Sequence, residues 1–249
     1  MAAAAVARTP SRRTGRRIAL VAVGAIVSVL LVGAGAFALL ALAAQHSFRT
    51  SFGYAGVRSL VVQNDAGDMS LSSAPTGRRL MVTEDQTEGL FKPSLQSRLA
   101  RDGTLTLRAT CPGQPECSVH YTLSVPPGVA VKVKSTVGDV TADDLVDNPS
   151  VELSTGGGNV TASGLSAPTV HLSTGVGNLN ARLTKAARSL DASSGAGDIT
   201  LTVPNVSYAV HASSGLGHVS DPTVPNDPAS PRSIDAHSSL GNVTITVTP

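Results

Sequence analysis

Apolar residues along most of this chain come in pairs separated by a single polar residue, and the pairs recur about every twenty positions on either side of a glycine. The glycine closes a small-residue turn and is followed by Asp, Asn or His and then by an aliphatic residue. The copies are Ala66-Gly67-Asp68-Met69, Val137-Gly138-Asp139-Val140, Gly157-Gly158-Asn159-Val160, Val176-Gly177-Asn178-Leu179, Ala196-Gly197-Asp198-Ile199, Leu216-Gly217-His218-Val219 and Leu240-Gly241-Asn242-Val243. From Gly138 onward the glycines are spaced by 20, 19, 20, 20 and 24 residues. Seven and five residues before each glycine all fourteen positions are apolar, as in Val151 and Leu153 or Val170 and Leu172. Two and four residues after it the pattern repeats, as in Leu179 and Ala181 or Val243 and Ile245. It fails only in the sixth copy, where Asp221 takes the second place.

Period two makes each half-repeat a short strand with alternate side chains pointing inward, and the glycine turn joins the two strands. Neither strand can bury its apolar face alone. Coils stacked about 4.8 Å apart share one continuous core and pair their backbones with the coils above and below. The pattern therefore predicts an all-β chain, a single-stranded β-solenoid (parallel β-helix-like) with about 20 residues per coil. So slim a coil accepts small and aliphatic side chains, in keeping with four Phe, three Tyr and no Trp.

Between Leu71 and Val131 the spacing lapses although strand-like runs continue, and Arg101-Asp102-Gly103-Thr104 reads as a tight hairpin turn. Residues 72–130 are expected to form an irregular antiparallel β insertion covering one end of the stack. The other end is expected at the last repeat, whose strand Val243 to Val247 would be exposed and open to edge-to-edge self-association. Pro222, Pro225, Pro228 and Pro231 interrupt the long sixth coil.

Ahead of the repeats the pattern changes. Ile18 to Ala44 are 27 consecutive uncharged residues, preceded by Arg8, Arg12, Arg13, Arg16 and Arg17. That run is long enough to span a bilayer with some tilt, and the arginine excess puts the N-terminus inside. The organisation expected is a basic cytoplasmic tail (1–17), a transmembrane helix acting as signal-anchor (18–44), a linker (45–56) and an extracytoplasmic solenoid domain (57–249). A cleaved signal peptide is the competing reading, with Ala41-Leu42-Ala43 as the cleavage site, but the run is roughly twice the length of a signal-peptide core.

Charge and candidate chemistry add less. The formal net charge is +2, and setting the five leading arginines aside leaves −3 for the remainder, which carries no basic cluster and is unsuited to nucleic acid. Cys111 and Cys117 flank a turn-rich segment between two strand-like runs, the spacing of a disulfide clamping a hairpin in an oxidising compartment. The Asp/Asn column after the glycines lacks the convergent oxygens that calcium needs and is expected to be a structural ladder. Six residues before each glycine the outward column reads Lys132, Glu152, His171, Asp191, His211, Asp235, alternating in sign as a solvated charge ladder. The sharper reading of that column is a metal strip formed by Glu152, His171, Asp191 and His211, and it lacks an evident supporting shell. No paired acids, nucleophile turn or phosphate loop is present, so neither a catalytic site nor a cofactor is expected.

An N-terminal anchor, a β section ending in Leu123-Ser124-Val125-Pro126-Pro127-Gly128, and Ser-Thr/Ser-Gly-x-Gly-Asp/Asn-Val coils together resemble the bacterial envelope family of unknown function called "putative adhesin", over roughly residues 57 to 249. The resemblance implies a β-solenoid and carries over no functional residue beyond turn glycines and core aliphatics. The function expected is a non-enzymatic, membrane-anchored extracytoplasmic scaffold or adhesin-like binding module for a protein or envelope ligand. The alternative is a regulatory sensor of envelope state signalling through its anchor, since some members of that family are associated with envelope-stress signalling.

Overall fold

The computed structural model describes residues 46–74, 79–88, 92–111, 117–221 and 223–248. The tail and membrane span expected over residues 1–44 lie outside these. All nineteen regular elements among the described residues are strands. β1 (His46–Ala55) precedes β2 (Ser59–Ala66) and β3 (Met69–Ser73), which flank Gly67; β4 (Arg79–Glu88) and β5 (Ser94–Leu99) lead to β6 (Thr104–Thr110) and β7 (Ser118–Val125). The other six glycines separate β8 (Ala130–Val137) from β9 (Val140–Asp143), β10 (Ser150–Gly157) from β11 (Val160–Leu165), β12 (Thr169–Val176) from β13 (Leu179–Leu183), β14 (Ser189–Ala196) from β15 (Ile199–Val203), β16 (Ala209–Leu216) from β17 (Val219–Ser220), and β18 (Ser233–Leu240) from β19 (Val243–Val247).

The strand before each glycine joins one sheet and the strand after it joins the other, so each repeat is one coil. Parallel pairing in register lines up Val131, Val151, Val170, Leu190 and Ile234 in the first sheet. Val140, Val160, Leu179, Ile199 and Val243 line up likewise in the second. Leu153, Leu172, Ile199 and Ile245 all lie, fully buried, in a single apolar cluster. Period-two patterning has become two inward faces closing one core.

Each hinge satisfies its own backbone groups. The N–H of Gly158 donates to Val176 O (2.9 Å) and that of Gly177 to Ala196 O (2.8 Å) in the next coil. The glycine carbonyls point inward, where water is absent. A side-chain hydroxyl three residues before the next glycine meets them: Thr155 on Gly138 O (2.8 Å), Thr174 on Gly158 O (2.8 Å), Ser194 on Gly177 O (3.1 Å), Ser238 on Gly197 O (2.9 Å) and Ser214 on Gly241 O (2.7 Å). Outside, each Asp or Asn side-chain oxygen accepts the backbone N–H of its counterpart one coil on, through Asp68, Asp139, Asn159, Asn178, Asp198 and Asn242 at 2.7 to 3.0 Å. The last donor is His218, and at the opposite end the Asp68 N–H donates to His120 Nδ1 (3.1 Å).

Four expectations need correction. The stretch read as a linker carries β1, which pairs antiparallel with β4 over its whole length. The antiparallel reading of residues 72–130 holds for β4 and β5 only, because β6 and β7 form a true coil, parallel to β2 and β3. In that coil Cys111 and Cys117, which lie between the two strands, are bonded to each other. The coils also do not stack in sequence order: β2 and β3 lie between the coil of β6 and β7 and that of β8 and β9, and β18 and β19 lie between the fifth coil and the sixth. The last strand, β19, is therefore flanked on both sides by β15 and β17, and the exposed end belongs to β16 and β17.

At the covered end, Glu84 of β4 is buried opposite Tyr121. Burial pushes its carboxyl above the usual glutamate range, and burial with the nearby Glu84 charge pushes the Tyr121 phenol upward. A raised folded-state value favours the protonated form. Its contribution to stability is complete below the unfolded value of about 4.3 and is lost as pH rises through the folded one. Glu84→Gln should thus raise the urea midpoint at neutral pH and leave it little changed at acid pH; a difference constant across that interval contradicts the linkage.

Candidate functional site

Three outward columns and two shallow hollows make up the candidate chemistry. The charge column is held by β8, β10, β12, β14, β18 and β16, whose polar middle positions the strand pleat turns away from the core. Lys132 Nζ bonds Glu152 at 2.8 Å and His171 Nδ1 stands 3.3 Å from Asp191 Oδ2. Beyond Asp191 the expected alternation breaks, because the inserted β18 puts Asp235 in register between Asp191 and His211. Two carboxylates now face each other across neighbouring strands, an arrangement that costs stability rather than adding it. His211 Nδ1 lies 3.6 Å from Asp235 Oδ1, not beside Asp191. The four-residue strip Glu152, His171, Asp191, His211 is thereby interrupted, and among the described residues no three His, Cys, Asp or Glu side chains converge on a point where a metal could sit.

A hollow of about 440 Å³ opens over Asp191, His211, Asp235 and His237, and His237 Nδ1 is 2.9 Å from Ser213 Oγ. A second, of about 460 Å³, lies at the loops opposite the glycine hinges. Its rim is an ion pair of Lys185 Nζ with Asp147 Oδ1 (2.7 Å), and the hydrogen bond and charge of Lys185 hold the Asp147 carboxyl below its usual range. Asp147 sits at φ 56°, a left-handed conformation that Asp tolerates. Both partners are mostly exposed, so the pair does little for stability and presents no base or nucleophile poised for chemistry.

The third column was legible in the sequence but passed over. The residue immediately before each hinge glycine points outward at the sharp edge of the coil, in the order Ala66, Val137, Gly157, Val176, Ala196, Leu240, Leu216. Val137 is 58% exposed, Val176 64%, Leu240 50% and Leu216 71%. The exposed aliphatics form a ridge over roughly 24 Å at the spacing of parallel strands, interrupted at Gly157 and at the partly buried Ala196. The signal was the first residue of each repeat motif, aliphatic where a turn needs nothing apolar. The neighbouring hydroxyl ladder was missed too, since Ser and Thr before a turn look like ordinary turn formers.

A coil of parallel strands with hinge glycines, hydroxyl and Asx ladders and a disulfide-closed first coil is a specific architecture. The Toastrack DUF4097 family matches residues 53–248. The chain belongs to that family. Among solved structures, this Toastrack domain is similar to a putative cell adhesion protein from Clostridium sporogenes ATCC 15579, with TM-score 0.52 and 13% identity over 82% of this chain and 100% of that one. A putative adhesin from Bacteroides fragilis NCTC 9343 aligns with TM-score 0.42 and 17% identity over 82% of this chain and 97% of the other. No curated protein matches the sequence. At such identities the likeness establishes the fold of the Toastrack domain and nothing about its ligand.

Proposed function

We propose that this Toastrack chain is a non-enzymatic binding module or scaffold, anchored by residues 18–44 and displayed outside the cytoplasmic membrane, and that it binds through the aliphatic ridge. The observation that carries the reading is the ridge itself. Val137, Val176, Leu240 and Leu216 are exposed in one row, whereas the other outward columns are charged, amide or hydroxyl. A row of exposed aliphatic side chains is costly in water and marks an interaction site. The stack fixes the row with hinges that have little freedom to rearrange, so the site is preformed and fits a partner with a complementary apolar surface. The name of the Clostridium sporogenes neighbour, a putative cell adhesion protein, agrees with this reading.

Both halves of the proposal are open to test in cells. Cys111 and Cys117 are bonded to each other, so Ser173→Cys on the outer face of β12 supplies the sole free thiol. A membrane-impermeant maleimide should label it in intact cells, and the labelled chain should stay with the membrane through alkaline extraction unless residues 1–44 are removed. Labelling only after lysis rules out the outside location. A photo-crosslinking residue at Val176 should give discrete adducts that Val137→Asp abolishes; adducts unchanged by Val137→Asp rule out the ridge.

A further inference from the structure

The stack is closed at one end and open at the other. At the first end β1 and β4 extend one sheet, β5 edges the second, and the core positions of the end coil, Leu105, Leu107, Tyr121 and Leu123, are buried. At the other end, among the described residues, β16 pairs only with β18 and β17 only with β19. Val210 and Ala212, whose counterparts Ile234 and Ala236 are buried, are half-exposed, and Val219 is 41% exposed. The loop from Asp221 to Arg232 covers the start of this edge and seats Val224 in the core: Tyr208 N–H donates to Pro225 O (3.0 Å), and Val210 N–H donates to Asn226 Oδ1 (3.2 Å).

Those bonds also show which backbone groups are free. Ala209 N–H goes inward to Arg232 O and Val210 N–H goes outward, and direction alternates along a strand. Ala212 and Ser214 therefore present N–H and C=O groups away from the stack, whereas the Leu216 C=O turns back to accept the Gly241 N–H (2.9 Å). Natural edges are blunted by lysine, proline or inward charge. From Asn205 to Ser220 there is no Lys, Arg, Asp, Glu or Pro.

We propose that this edge takes a second copy of the same chain, end to end, with β16 antiparallel to β16 of the other copy about a two-fold axis at Ser214. Both sheets end at the same coil, so a single peptide strand would cover β16 and leave β17 uncovered. A second coil end of the same cross-section covers both. The register follows from the loop. With Ser214 opposite Ser214, the two Ser214 residues exchange backbone N–H and C=O bonds, and each copy's loop over Val210 falls beyond the other's Gly217, where that chain has already turned away. The segment's lack of formal charge leaves no like-charge repulsion between two identical edges. The contact meets the ridge at Leu216 alone and otherwise uses the backbone edge of one coil.

Full-length protein in detergent micelles tests this. Two Ser213 side chains in such a dimer are diagonal neighbours about 8 Å apart, so a short bis-maleimide should cross-link Ser213→Cys roughly tenfold more than the control Ser193→Cys, which lies two coils from the edge. Ala212→Pro removes an outward N–H without touching the bond pattern to β18 and should abolish the cross-link. If that variant misfolds, Leu216→Lys, on a side chain 71% exposed, should do the same with an unchanged far-UV spectrum. Val176→Asp should leave the cross-link intact, which separates this contact from the ridge. Equal yields at both cysteines, or a yield insensitive to both edge variants, overturns the proposal.

Discussion

Gly177→Ala destabilises the domain by about 3 kcal/mol or more, whereas Gly157→Ala, in the neighbouring coil, stays within about 0.5 kcal/mol of the parent. Gly177 has φ of 148° and a Cβ there would run into the carbonyl of Gly158, a backbone atom that cannot swing aside. Relief requires the two coils to separate at the hinge, which would lengthen both the Gly158-to-Val176 backbone bond and the Thr174-to-Gly158 hydroxyl bond. At Gly157 the added methyl meets nothing within 4 Å and φ is not positive, so only the ordinary preference for Ala over Gly in a strand remains. Urea unfolding of the two variants checks this. The midpoint should drop sharply for the first with an unchanged m value. Equal effects at both positions would mean that the hinges are not stacked.

Leu172→Ala costs about 2–5 kcal/mol, and Val210→Ala, in the same sheet three coils further along, costs about 1 kcal/mol or less. Leu172 is fully buried in the middle of the stack, in register between Leu153 and Ala192. Its neighbour Ala192 is already small, so the cavity has little to collapse into it. Val210 is half-exposed at the open end, where water can fill the space a smaller side chain leaves. Since domains are stable by only about 5–15 kcal/mol, the first variant should show in any unfolding measurement. A large loss for Val210→Ala in dilute protein would instead show that the end is sealed within one chain.

Strand positions, inward residues and hinge glycines could be read from the chain because each depends on neighbours a few residues away. Val151 and Leu153 announce a strand by alternation, and Gly158 announces a turn by being the residue that accepts φ of 143°. The Asx ladder was legible for a similar reason: one residue type recurs at a fixed offset. The coil of β6 and β7 escaped because the sequence between its strands lacks the repeat's Gly-Asp/Asn-aliphatic motif. Leu107 and Tyr121 are separated by the disulfide-closed segment, and no offset from a glycine could find Leu105, Leu107 and Leu123. The ridge escaped for a different reason. Exposed aliphatics look like weak core until the strand's facing is known, and only the coordinates separate Val176, 64% exposed, from Leu179, fully buried.

What the amino-acid order determined by itself is the coil: two strands, one hinge and an interior of small and aliphatic side chains. What only the tertiary structure decided is the order of the coils, and with it the neighbours of Asp235, the burial of β19 and the identity of the open end. The physical reason is that every coil offers nearly the same inward surface, so apolar pattern does not distinguish one neighbour from another. Chain length does not either. The five residues between Val203 and Ala209 can reach roughly 16 Å when extended, enough to climb one coil or two, and the spacing from Gly197 to Gly217 stays at 20 although a coil is skipped.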